Sequence, residues 1–394
     1  MSTPRRFDVT ERRARLAVRH HLATEAQETG TAAASLIGLH ATDPASVYLS
    51  AWARVDGVKH DDIDDALYEA RTIVKHMAMR RTVWALATDL LPVVQAAASD
   101  AIAVNERKRL ARDLEKSGVT TNGPAWVRRA EKAAMNALAT MGPSFGRELS
   151  SAVPVLRTKV RVGSANRSQE IGVVTRITTI LSASGQATRA RAGGTWVNRQ
   201  PRWVRMQDWV PRVTEDPPTS AAAARADLAR HWLRAFGPAT VDDLKWWAGW
   251  TVAQTKAALE AIGAIGVDLV GAEPGVALPD DLEPVPAPDP WVSLLPSLDP
   301  TTMAWKHRDW YLGSHGGRLF DPYGNAGPTV WSDGRVIGGW GQRPDGEVVV
   351  QLLEDVGADV TASVTAEAER LTGWLAGVQV RPSFPTPLQR ELSA

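Results

Sequence analysis

Along the first two thirds of the chain, apolar positions at helical spacing alternate with short runs of β-forming residues. Glu11 to Ala23 reads as a helix, with Thr10 placed to cap it. Asp43-Pro44 opens another helix through Leu49 and Trp52, because Asp caps well and Pro suits the first helical position. The cluster His60-Asp61-Asp62-Ile63-Asp64-Asp65 could suggest a metal site. Acids in the first turn of a helix Asp62 to Arg71, complementing its dipole, are the stronger reading. Thr72 to Ala87 carries β-formers on both sides of a polar centre, Arg80-Arg81, and reads as a hairpin. Helices followed by a hairpin is the order of a winged helix, whose wing would carry the Arg pair.

The pattern recurs. Gly142-Pro143-Ser144 and Gly237-Pro238-Ala239-Thr240 each open a short helix, 95 residues apart. In the second copy Thr240 and Asp243 stand at N-cap and N3, close to a capping box. Each entry leads into helical sequence and then a β-rich stretch. In the first copy that stretch runs from Gln186 to Val197, with Arg189 and Arg191 alternating with small residues and Gly193-Gly194 turning the chain. It reads as a second, more basic wing. In the second copy Val252 to Ile262 takes the place of a recognition helix, with Gly263 as its stop. Two copies of one unit point to an array of winged helices.

Pro217-Pro218 separates the second and third units, and a Pro-rich linker from Pro279 to Pro290 follows the third. Beyond it, Gly327 to Leu353 alternates strand-like runs with Asp-Gly turns, then a helix runs from Thr365 to Ala376. This part reads as a small β-barrel or sheet. The expected division is therefore 1–120, 121–215 and 219–283 for three winged helices and 284–394 for the C-terminal β unit. The fold class is α+β.

Composition narrows the function. Hydrophobic residues at 44% and charged residues at 23% exclude a largely disordered chain. No apolar run approaches the ~20 residues that span a bilayer. The N-terminus shows no apolar signal region, which leaves the cytoplasm as the expected address. Zero Cys excludes disulfides, Cys-based zinc sites, iron–sulfur clusters and thiol catalysis. The charge is nearly balanced overall but unevenly divided. Met1 to Val213 holds 32 Lys+Arg against 20 Asp+Glu, whereas Thr214 to Ala394 holds 13 against 24. The densest part, Arg157 to Arg212, has eleven basic residues against Glu170 and Asp208. So few interleaved acids favour a nucleic-acid partner over a solvated surface.

No phosphate loop, dinucleotide fingerprint, His-Glu-x-x-His or Gly-x-Ser-x-Gly elbow occurs. His20-His21 is the one close His pair, and adjacent helical residues point apart. Neither a metal nor a cofactor is expected. Trp is frequent, 16 against 9 for Tyr plus Phe; core packing explains most, and some could stack on bases.

Two stretches go further. One is Leu36-Ile-Gly-Leu-His40-Ala-Thr42-Asp43-Pro44, followed by Val47-Tyr-Leu-Ser-Ala-Trp52-Ala-Arg54. The other is Leu294-Leu-Pro-Ser-Leu-Asp299-Pro-Thr-Thr-Met-Ala-Trp305-Lys-His-Arg308-Asp309-Trp-Tyr311, continuing to Asn325–Trp331 and Gly334–Trp340. Both resemble the bacterial winged-helix DNA glycosylases of the AlkZ and YcaQ type, over nearly the whole chain. The resemblance implies tandem winged helices closed by a C-terminal β-barrel, in a C shape around DNA. It implies metal-independent excision of N7-alkylated purines, and for AlkZ-type members the unhooking of bulky adducts and interstrand crosslinks.

The family's catalytic signature is Gln-hydrophobic-Gln or Gln-hydrophobic-Asp just before the Asp-Pro. Here that slot reads His40-Ala41-Thr42, with the spacing kept and both polar residues changed. An N7-alkylated base carries positive charge and leaves without protonation. The enzyme must stabilise an oxocarbenium-like sugar and position a water. A neutral His40 could accept a proton or hold that water, and Thr42 could hold it. A protonated His40 would repel the sugar, so this reading expects activity to fall at acid pH. Asp43 could serve as a base, but as an N-cap its oxygens should be taken by backbone N–H groups. The alternative is a non-catalytic member, a damage binder or a regulator. The expected partner is double-stranded DNA containing alkylated bases, without a membrane, engaged by a monomer in the nucleoid. Candidate phosphate contacts are Arg80, Arg81, Arg189, Arg191, Arg199, Arg202 and Arg205, with Lys306 and Arg308 in the C-terminal unit.

Overall fold

The computed structural model describes residues 4–162, 169–211 and 220–394. Arg212 and the Pro217-Pro218 separator lie outside the described residues. Helices and mostly antiparallel sheets are mixed throughout, as an α+β fold requires.

The first helix is Val9–Arg19, capped by Asp8 rather than Thr10. Asp8 has extended backbone and accepts the Glu11 N–H at 2.8 Å, so Thr10 falls inside the first turn. Helices Thr29–Ser35, Pro44–Trp52 and His60–Asp64 follow. The last passes directly into a π-helical turn, Asp65–Glu69. Strands Ile73–Ala78 and Thr82–Ala87 form the expected hairpin, turning at Arg80 and Arg81 with φ of 56° and 61°. The short strand Gly38–His40 joins as a third member, so the hairpin is a sheet whose edge carries the slot.

The next segment has helices Asp100–Lys116, Gly123–Met141, Gly146–Ala152 and Val173–Ala183 around a sheet of Ser144–Phe145, Arg202–Arg205 and Ala187–Ala190. It has an apolar core of its own around Leu110, Leu149, Ile177 and Leu181. The third segment has helices Ala221–Phe236, Val241–Ala248 and Val252–Ala261. Thr240 and Asp243 cap each other reciprocally, each backbone N–H meeting the other's side chain at 3.1 Å. The 1–120 segment does not begin as a separate body. Strand Arg6–Phe7 pairs in parallel with Ile265–Leu269, so the chain's start belongs to the third segment's sheet.

The C-terminal strands Val292–Leu295, Thr329–Ser332, Arg335–Gln342 and Val348–Leu352 make an antiparallel meander. Helix Gly357–Leu375 packs on it and begins eight residues before the expected Thr365. Its β-branched residues read poorly as helix, but the buried stripe Val364, Ala368, Leu371, Leu375 has helical spacing and decides.

One continuous core joins the first, third and C-terminal segments, with Trp52, Trp232 and Trp331 fully buried in it. A buried polar network crosses the same interface. Arg54 grips Asp299 by two hydrogen bonds of 2.9 and 2.6 Å, Ser50 donates to Asp299 at 2.6 Å, and Arg54 donates to Thr301 at 2.8 Å. His20 joins through the Thr301 hydroxyl at 2.8 Å. The two stretches that carry the family resemblance thus pack directly against one another.

Candidate active site

The slot sits where the edge strand ends. His40 pairs with Trp84 across the sheet, and their rings lie 5.1 Å apart. Ala41 N–H donates to Val83 carbonyl at 2.7 Å, and the Thr42 hydroxyl accepts the Val83 N–H at 3.2 Å. These bonds carry the pairing two residues past the strand. His40 is buried at the strand's last position, whereas Thr42, beyond the strand, lines an open cleft.

His40 is 5% exposed. Burial, with Arg80 nearby and Asp299 opposing, pushes its pKa down to about 3. It is therefore a neutral imidazole at any physiological pH. Its Nδ1 accepts the Thr42 N–H at 3.4 Å. This corrects two expectations. His40 does not line the cleft, and its protonation does not fall in the mildly acid range.

Asp43 caps helix Pro44–Trp52 as expected, accepting the Ala45 N–H at 3.3 Å. Its other oxygen accepts the Ser383 N–H at 2.7 Å. The carboxylate borders a different cavity, with Pro296, Trp340 and Gln342, so a role as base at the Thr42 cleft is not supported. Its work is to cap a helix and fasten the C-terminal segment.

The cleft is lined by Thr42, Tyr48, Asp64, Tyr68, Arg189 and Trp196 among others. It opens onto a wider groove bordered by Arg81, Arg147, Phe145 and Trp203. Thr42, Arg189, Arg199 and Pro201 line both spaces, so the two are continuous past the slot. Among the described residues lining them, Asp64 carries the one carboxylate.

The candidate phosphate contacts separate by partner. Arg189 lies over the Trp203 ring at 5.3 Å, and none of the described residues meets its Nε. Burial alone lowers its pKa to about 10, which still leaves a cation at neutral pH. Arg199 is exposed at the junction, donates to the Arg381 carbonyl and stands 3.9 Å from Asp43. Arg202 is exposed beside the Phe145 ring at 5.0 Å. Arg81 borders the groove but pairs with Glu106 at 3.0 Å. Arg191 borders the cleft and pairs with Asp64 and, at 3.3 Å, with Glu69. Arg205 and Lys306 are the clearest corrections. Asp208 takes Arg205 at 2.6 Å and Asp242 takes Lys306 at 2.5 Å, and neither cation lines the cleft or the groove. Arg80 and Arg308 both lie over Trp246, at 4.0 and 5.4 Å, away from the cleft.

Sequence reasoning missed Tyr48, Asp64, Tyr68 and Trp196. Asp64 was read among first-turn acids, yet the helix begins at His60 and Asp64 is its last residue. Trp196 stands in the stretch that reads as the second wing, and it is half-buried at the cleft. Among the described residues no group of His, Asp and Glu could hold a metal ion. No helix among them is long and apolar enough to cross a membrane.

Residues 33–374 match the family described as "DNA glycosylase AlkZ-like". The chain belongs to the AlkZ-like DNA glycosylase family. It is accordingly a DNA glycosylase of DNA repair, in a family associated with alkylation damage. Among solved structures it is similar to the Streptomyces sahachiroi DNA glycosylase AlkZ, with a TM-score of 0.73 and 18% identity, covering 93% of this chain and 97% of that one. At that identity the likeness speaks for the fold. No curated protein matches the sequence.

Proposed function

We propose that this AlkZ-like protein is a monofunctional, metal-independent glycosylase that hydrolyses the N-glycosidic bond of N7-alkylated purines in duplex DNA. Bulky natural-product adducts and interstrand crosslinks belong to the same substrate class, because the adduct sits on the same N7. Three tandem winged helices before a C-terminal β-barrel unit, in a C shape that a monomer closes around DNA, complete this reading.

The observation that carries this reading is the position of Thr42, half-buried where a narrow cleft meets a basic groove. The groove suits the duplex backbone, with Arg189 and Arg199 at the junction as phosphate partners. The alkylated base leaves as a neutral molecule, so no general acid is needed. What remains is to stabilise the cationic sugar and hold a water. The Thr42 hydroxyl accepts from Val83 N–H and keeps its own proton to give to a water. His40 acts behind it as a positioning residue, holding the Thr42 N–H with a neutral nitrogen.

The test is base release from a duplex carrying one N7-methylguanine, with a duplex carrying a bulky N7 adduct in parallel. Release from either duplex supports the proposal. Tight binding to both without release identifies a non-catalytic damage binder, the reading favoured by the withdrawal of His40 from the cleft.

A further inference from the structure

We infer that Asp64 is the carboxylate that faces the reacting sugar, supplying the anionic group that Thr42 cannot. The inference rests on the glycosylase reading above and adds a residue outside the slot. Hydrolysis of an N-glycosidic bond puts positive charge on the sugar, and a side chain able to counter it must carry negative charge inside the site. Both walls of the cleft and the groove were open to such a group, and among the described residues Asp64 alone provides it. Asp43, the residue next to the slot, is buried and borders a different cavity.

The local structure presents Asp64 for this task. Helix His60–Asp64 ends there and widens into the π-helical turn Asp65–Glu69. Such turns add one residue per turn and re-aim the side chains that flank them. One Asp64 oxygen accepts the Tyr48 hydroxyl and the other meets Arg191. Two carboxylate oxygens offer about four acceptor positions, so these partners orient the group and leave room for a water. Tyr48 stays a donor, because burial, with Tyr68 and Asp64 alongside, raises its pKa above the ordinary phenol value. The Asp64 side chain is 21% exposed, unlike Asp43 at 4%.

The step balances without a further reactant. The C1′–N9 bond breaks and its electron pair goes to the base, which neutralises the N7-alkyl cation. Water adds through oxygen to C1′, and its proton passes to the Asp64 carboxylate and then to solvent. Products are the free alkylated base and an abasic sugar.

The experiment uses the full-length chain as wild type, Asp64→Asn and Asp64→Glu. Single-turnover release of N7-methylguanine is read beside equilibrium binding to two uncleavable duplexes. One carries a cationic pyrrolidine abasic analogue and the other its neutral tetrahydrofuran counterpart. Wild type is expected to prefer the cation by about tenfold or more, and Asp64→Asn to bind both alike. Release should fall by about a hundredfold or more in Asp64→Asn and recover in part in Asp64→Glu. Retained release together with a retained charge preference in Asp64→Asn overturns the role. If wild type releases no base, the glycosylase reading fails. The charge preference then still decides whether Asp64 is a cation site. Its absence in wild type overturns the inference. Thermal midpoints of the variants separate loss of function from loss of fold.

Discussion

Arg54 and Asp299 form a bidentate ion pair in which neither side chain reaches solvent. They lie 245 residues apart and join the helix that follows the slot to the C-terminal segment. A buried pair of this kind adds little over an apolar substitute, but breaking it leaves a charge stranded. Asp299→Ala is therefore expected to cost about 3–5 kcal/mol of stability, measured by urea unfolding. A change in midpoint within error would show that water reaches Arg54 and that the pair is not the tie described here.

The buried histidines make stability fall with acid. His40 and His76 hold their pKa at about 3 and about 4, each chiefly through burial, and His20 lies well below its ordinary value. In the unfolded chain the same groups take up protons near pH 6.5. Below that pH the unfolded state binds more protons, so the stabilisation present above about pH 6.5 is lost as pH drops. At pH 5, His40 and His76 each account for roughly 2 kcal/mol of the loss. Unfolding curves between pH 7.5 and 5 check this, and His76→Gln should flatten the slope. A slope unchanged by that substitution contradicts the assignment.

Activity should not follow the same titration. Because His40 is neutral down to about pH 3, base release measured between pH 8 and 5.5 on folded protein should show no inflection from it. An inflection near pH 6.5 that disappears in His40→Gln would place a solvated, titrating imidazole in the site, against the buried one seen here.

Thr42→Val removes the hydroxyl while keeping the branched shape. Release of N7-methylguanine should drop by about ten- to a hundredfold with DNA affinity little changed, since positioning of the water is lost and the basic groove remains. Thr42→Ser should retain most activity. Equal release by wild type and Thr42→Val would remove Thr42 from the chemistry.

Salt dependence should sort the arginines. Each phosphate contact contributes about 0.9 to the slope of log affinity against log salt. Arg189→Ala and Arg199→Ala are each expected to lower that slope by about one contact. Arg205→Ala and Lys306→Ala should leave it unchanged, because Asp208 and Asp242 already hold those charges. Slopes that fall equally in all four variants would mean the ion pairs open when DNA binds.

By itself the sequence determined the elements whose causes are local. The Asp43-Pro44 helix start, the Thr240/Asp243 box and the hairpin around Arg80-Arg81 are legible because caps, proline geometry and turn residues act over a few positions. The slot was legible as a pattern of residue types. Only the tertiary structure decided that His40 is buried while Thr42 lines the cleft, where Val83, 41 residues away in sequence from Thr42, bonds both Ala41 and Thr42. Only it decided which cations are free, because Arg189 and Arg205 look alike in sequence and differ by whether a carboxylate folds against them. Asp64 entered the cleft the same way. Its neighbours in the chain explain a helix, while its partners Tyr48 and Arg191 come from 16 and 127 residues away. Charge, burial and cleft geometry are set by such distant contacts, and local pattern carries no information about them.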